Sequence, residues 1–127
     1  MSQVGNGTIA GKWTTKEALA SSDFVTMSAT LDSTAWIDEG YADEIPPFIT
    51  VAIDPTTKRA VPYDNGVHTA DNVYLLVDWE YNIVAGQDRP VSLFTQCIVK
   101  SGYVTETSVV TWSSVQRIEI RPVGPVT

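Results

Sequence analysis

One histidine, His68, is where a search for acid–base chemistry in this sequence must begin, because histidine is the side chain that titrates near neutrality. It lies in a polar loop segment, and Asp64 and Asp71 are its candidate partners nearby in the chain. One histidine with two neighbouring aspartates has none of the ligand spacings of zinc or two-metal motifs. We therefore predict a solvated loop histidine, with no catalytic residue and no metal ligand.

Nucleophiles and phosphate loops are the next chemistry to test. The sequence has no Gly-x-Ser-x-Gly elbow, and no glycine-rich run precedes a Lys-Ser/Thr pair. The only cysteine, Cys97, stands within an apolar strand pattern, where a thiol usually behaves as a small buried hydrophobic group. These observations predict a protein that is not an enzyme and that needs no cofactor.

Aromatic and acidic side chains are candidates for binding a partner or a cation rather than for catalysis. Trp79 and Trp112 follow strong strand patterns, which favours ordinary packing, whereas Trp13 and Trp36 lie in the weakly patterned first third. An aromatic ring there suits an interface anchor or a platform for a sugar. The nearby carboxylates lack the spacing and central glycine of an EF-hand, which indicates a solvated acidic face; they are Asp38, Glu39, Asp43 and Glu44.

Composition and charge narrow the class of partner. The 127 residues, 43% hydrophobic and 18% charged, are typical of one globular domain. The net charge of −7 lies mostly in residues 1–47, which hold seven acidic and two basic side chains. With no basic stripe, nucleic acid and anionic membranes are disfavoured, so a protein or a neutral ligand remains. One cysteine, no apolar run of about 20 residues and no signal pattern favour synthesis in a reducing cytoplasm.

The elements that would position these residues are mainly strands. Residues 1–13 carry three glycines and no hydrophobic periodicity, which predicts a flexible N-terminal arm before a single domain over 14–127. A Thr-x-x-Glu spacing at 14–17 predicts a short helix, residues 32–47 are expected to be irregular, and a helical turn is expected at 113–114. Period-two patterns predict strands over 48–53, 59–63, 73–77, 91–99 and 117–121. The 73–77 strand, apolar on both faces, should be central, and Val91, Leu93, Cys97 and Val99 should share a face. The fold class expected is mainly β with one or two short helices (α+β).

A resemblance to a known family then appears in the strand segments. Residues 51–64 resemble lambda-type phage head-decoration proteins, in which a strand ends in Asp, turns through small hydroxyl residues and a basic pair, and returns to an aromatic and Asp. The runs 73–78, 91–102 and 118–120 are similar to the family's central, later and final strands. The resemblance covers roughly residues 46–121; residues 14–45 are longer, more acidic and richer in aromatics than the family pattern.

This resemblance implies a homotrimer on the outer surface of the virion, where it binds the major capsid protein and stabilises the head. It also implies that the N-terminal arm pairs with strands of the capsid protein. The capsid-binding candidates in the arm are Val4, Thr8, Ile9 and Trp13, and the candidate interface residues of the domain are Trp36 and Tyr41. Two alternatives stay open: another virion or tail component, and a carbohydrate-binding module that uses Trp13 or Trp36.

Overall fold

The computed structural model describes residues 18–122. In that range it contains eight strands, one short α-helix and three short 3₁₀-helices, which confirms a mainly β fold. The strands are β1 (Val25–Leu31), β2 (Glu44–Ile45), β3 (Thr50–Ile53), β4 (Ala60–Pro62), β5 (Tyr74–Leu76), β6 (Glu80–Tyr81), β7 (Arg89–Lys100) and β8 (Ile118–Arg121). The α-helix is α1 (Ser33–Asp38), and the 3₁₀-helices span Ala70–Asn72, Ser101–Tyr103 and Trp112–Ser114.

Five of the strands close into a ring in the order β1, β4, β3, β5 and β7. The long strand β7 pairs antiparallel with β5 on one side and with β1 on the other. The ring closes where Leu31 of β1 lies beside Ala60 of β4, and the N–H of Asp32 donates to the carbonyl of Ala60 (3.0 Å). Strand β8 adds in parallel to the last third of β7, and β2 pairs with β6 in a separate ribbon. Closure leaves these five strands with fewer unpaired edges than an open sheet.

Apolar side chains pack into two clusters on opposite faces of the ring strands. One cluster contains apolar side chains of β1, α1, β3 and β7, including Leu31, Trp36, Val51 and Leu93. The other packs the opposite faces against the segment 110–118. Neighbouring residues Leu75 and Leu76 belong to different clusters and are both fully buried. This confirms that the predicted central strand is buried on both sides.

Strand β7 changes face part-way along its length. Its register against β1 passes from Phe94 to Gln96 and skips Thr95, which is a β-bulge. Leu93 therefore packs in one cluster, while Cys97, which has the same parity in the sequence, packs with Phe94 in the other. The expectation that Val91, Leu93, Cys97 and Val99 share one face is wrong, because one extra residue reverses the alternation beyond it.

The segment expected to be irregular contains helix α1 and strand β2. Asp32 caps the helix, since its carboxylate accepts a hydrogen bond from the N–H of Ala35 (3.2 Å). Ser33 in the first turn is buried and hydrogen-bonded to residues 87–88. Its N–H donates to the carboxylate of Asp88, and its hydroxyl donates to the carbonyl of Gln87. A six-residue helix is marginal by itself. Tertiary contacts that no local pattern displays therefore stabilise it.

The predicted turn after β3 is built around the carboxylate of Asp54. It accepts the N–H groups of Thr56 (2.7 Å) and Thr57 (3.0 Å), and these two bonds hold the pKa of the carboxyl below the ordinary value of 3.8. The chain then returns through Lys58, whose φ is +64°, to pair Ala60 with Ile53. The anionic form of Asp54 is thus favoured in the folded state.

Replacing Asp54 with alanine should lower the melting temperature at neutral pH. A group whose pKa is lowered by folding contributes stability above its unfolded value, and that contribution is lost as the pH falls through the lower folded value. The deficit of Asp54→Ala should therefore shrink once the pH drops below 3.8. Thermal unfolding of both proteins across this range tests it, with Asp54→Asn as the variant that keeps an acceptor oxygen without a charge. A deficit for Asp54→Ala that is independent of pH would contradict this account of the turn.

Candidate binding surface

His68 accepts a hydrogen bond within its own loop, and it lies near enough to Asp54 to help lower the pKa of that carboxyl. Its Nδ1 accepts the backbone N–H of Asp64 (3.1 Å), and its ring lies against Tyr63 with 5.9 Å between the centroids. The carboxylate of Asp64 binds the N–H of Gly66 instead (2.9 Å), and that of Asp71 accepts from the hydroxyl of Thr69, which lowers the Asp71 pKa. Each of these two carboxylates therefore binds a group of its own loop. The imidazole is half-buried rather than fully solvated.

Cys97 lies in the core, as its strand pattern predicts. The residue is 2% exposed, and burial raises the pKa of the thiol to about 12. The thiolate, which is the reactive form, is thus disfavoured at neutral pH. Within residues 18–122, no group of three or more His, Cys, Asp or Glu side chains is placed to hold a metal ion.

The two candidate interface residues of the domain have different surroundings. Trp36 is 0% exposed, and its indole N–H donates to the carbonyl of Ala60 (3.1 Å). The expectation that Trp36 anchors a partner is therefore wrong, and its ring offers no platform to a sugar, because it fills the core between α1 and β4. Tyr41 packs edge-on against Trp36 with the ring centroids 5.8 Å apart, and it stays partly exposed. It remains a candidate contact.

The predicted arm contacts lie outside the described residues. Val4, Thr8, Ile9 and Trp13 all fall before Ala18, the first residue that the structure describes. Their role in binding stays a prediction from the sequence.

An open groove of about 750 Å³ lies between α1, β4 and two loops. One loop spans residues 63–68 and the other 107–109, and each contributes an exposed valine. Val67 is 73% exposed and Val109 is 71% exposed, more than any other large apolar side chain in the described part of the chain. Large apolar side chains are usually buried away from water. The exposed pair of Val67 and Val109 therefore indicates a surface suited to contact with another molecule.

Hydrogen bonds fix the two loops of this groove to each other. The N–H of Asn65 donates to the hydroxyl of Ser108 (2.9 Å), and the hydroxyl of Thr107 donates to the carbonyl of Tyr63 (2.6 Å). Asn65 stands two residues before Val67, and Thr107 and Ser108 are the two residues before Val109. The valines are therefore presented by a braced pair of loops. Neither valine stands out in the sequence, because Val67 is a single apolar residue in a polar loop and Val109 precedes a second valine, Val110, which is buried.

Charge along this groove has one sign. Five carboxylates line it, and no described lysine or arginine does; they are Asp32, Asp38, Glu39, Asp54 and Asp64. Asp38 and Glu39 are exposed at the end of α1, and their carboxylates make no hydrogen bond or ion pair with other described residues. We refer to this feature, the cleft between residues 32–39, 61–68 and 107–109, as the acidic groove.

Comparison with known proteins adds no relative. No model of a known protein family matches the chain, and no curated protein matches it. Among residues 18–122, none of the helices has both the length and the apolar character needed to cross a bilayer.

Proposed function

We propose that this protein is a capsid-decoration protein, a trimer that binds the outer surface of a phage head and stabilises it without catalysing a reaction. The observation that carries the binding role is the pair of exposed valines on the acidic groove. Two large apolar side chains held in water on braced loops favour contact with a partner. An acid–base mechanism would instead need titratable side chains hydrogen-bonded to one another, and the Nδ1 of His68 accepts the backbone N–H of Asp64.

The family resemblance supports the capsid as the partner. Its matching segments, 51–64, 73–78, 91–102 and 118–120, are consecutive pieces of the structure: β3 with its turn and β4, then β5, then β7, then β8. Segments similar to the family thus make up most of the closed ring and its added strand. The net charge of −7 also favours a protein surface over nucleic acid.

Attachment in this proposal is multivalent. The arm of each subunit adds as a strand to an edge of the major capsid protein, where backbone hydrogen bonds give affinity and side-chain pockets give specificity. Three arms in one trimer bind together, so each can be weak while the trimer holds firmly. A clamp of this kind needs no cofactor.

Light scattering of the purified chain tests the trimer directly. We expect a mass about three times the 13.8 kDa of one chain at micromolar concentration. A hexameric ring or an open tube would favour the tail-component alternative, and a monomer would count against decoration.

A further inference from the structure

We propose that the acidic groove binds a basic, aliphatic segment of the partner protein, with lysine or arginine on its carboxylates and an aliphatic side chain between Val67 and Val109. The inference rests on the proposed function, because it names the second contact that a decoration protein would make besides its arm. It assigns this contact to the folded domain.

The dimensions of the acidic groove suit such a segment. Its volume of about 750 Å³ falls within the ~300–1,000 Å³ range of sites that bind small molecules or a few side chains. The groove is open along the surface rather than enclosed. An extended segment can therefore enter and leave it without a movement of the loops that Asn65 and Thr107 brace.

The apolar part of the acidic groove selects an aliphatic side chain. Val61 and Ala35 lie along its wall, and Val67 and Val109 stand exposed at its margin. A partner side chain placed among these groups would remove the two valines from water. The gain comes from the hydrophobic effect, so it should persist in high salt.

The charge of the acidic groove selects a cation and disfavours a twofold contact between two copies of this chain through the groove. The carboxylates of Asp38 and Glu39 have no partner among the described residues, so a lysine or arginine can pair with them without displacing any bond within residues 18–122. Two copies facing each other through this groove would instead bring carboxylates against carboxylates, because a twofold contact uses the same patch on both subunits. Like charges across an interface suppress such pairing.

A peptide titration on the full-length chain, followed by NMR of its backbone amides, tests the proposal. The probe is a short synthetic peptide in which lysine and valine alternate, and the two comparison peptides replace its lysines with glutamate or its valines with serine. We expect the lysine–valine peptide to shift the amide signals of residues 64–68 and 107–109, and both comparison peptides to bind about tenfold more weakly or not at all.

Matched variants separate the two parts of the interaction. Val67→Ser with Val109→Ser should weaken binding about tenfold at any salt concentration, whereas Val84→Ser, an exposed valine elsewhere, should not change it. Asp38→Asn with Glu39→Gln should weaken binding about threefold to tenfold at low salt only, and Asp23→Asn should not. These residues are surface positions, and an unchanged amide spectrum confirms that each variant folds.

Three outcomes would overturn the inference. If the peptide with serine in place of valine binds as tightly as the lysine–valine peptide, the interaction is unspecific charge attraction. If the amide shifts spread outside the acidic groove, the peptide binds elsewhere. Loss of the trimer in the valine variant would make a second copy the occupant. Binding of heads distinguishes the two proposals: heads coated equally by wild type and valine variant would keep the decoration function and reject the groove contact. Peptide binding without any binding to heads would keep the groove contact and reject the decoration function.

Discussion

Deletion of residues 2–13 should leave a folded trimer that no longer attaches firmly to the capsid. The arm has no periodic apolar face, so its removal should expose little core, and the melting temperature should stay close to that of the full chain. Attachment should fall steeply, because several backbone hydrogen bonds of about 0.5–1.5 kcal/mol each would be lost from all three subunits at once. Sedimentation with heads and thermal unfolding together check both halves of this expectation.

A single substitution within the arm refines the same prediction. Thr8→Pro removes one backbone N–H and should weaken attachment if the arm pairs as a strand, whereas Thr8→Val keeps that donor and should bind like the wild type. A truncated protein that saturates heads with unchanged affinity would refute the arm mechanism. One that fails to fold would show that residues 2–13 belong to the domain.

Trp36→Ala should destabilise the fold more than any other single change considered for this chain. The indole is fully buried between α1 and β4, and its removal would open a cavity that costs about 3–5 kcal/mol. That is a large share of the roughly 5–15 kcal/mol that stabilises a typical domain. Urea unfolding followed by circular dichroism measures the loss as a lower midpoint.

Trp36→Phe is the graded control for this prediction. It keeps most of the apolar volume but removes the N–H that donates to the carbonyl of Ala60. That carbonyl also accepts the N–H of Asp32 at 3.0 Å, so it would keep one partner and the cost should be about 1 kcal/mol from the lost bond, plus a smaller packing term. If Trp36→Ala unfolds at the same urea concentration as the wild type, the indole does not stabilise the core as described.

The strands that sequence reasoning found are those whose apolar residues alternate or run continuously. β3, β4, β5 and β8 fall within the predicted ranges, and β7 covers its predicted range of 91–99 and extends beyond it at both ends. β1 was missed although its apolar residues alternate with serine and threonine; its inner face carries the small Ala29 and the half-buried Met27, and only Leu31 at its end is fully buried. It forms because β7 offers it a long antiparallel partner, which is a non-local cause.

The acidic groove could not be predicted from the sequence in the same way. Its valines lie more than forty positions apart, and hydrogen bonds between the two loops, from Asn65 to Ser108 and from Thr107 to Tyr63, bring them to one surface. Trp36 illustrates the opposite error. An aromatic residue in a weakly patterned segment suggested an exposed anchor, yet α1 turns it into the core. Burial of an isolated side chain depends on what packs over it, and a linear pattern contains no information about that.

Co-sedimentation of the purified full-length chain with phage heads tests the central claim most directly. We expect the protein to pellet with expanded heads until three chains occupy each binding position, and to raise the temperature at which those heads come apart. Binding should fall sharply when residues 2–13 are removed. A chain that stays in the supernatant with both expanded and unexpanded heads, at concentrations where it is a folded trimer, would contradict the claim that it decorates a capsid.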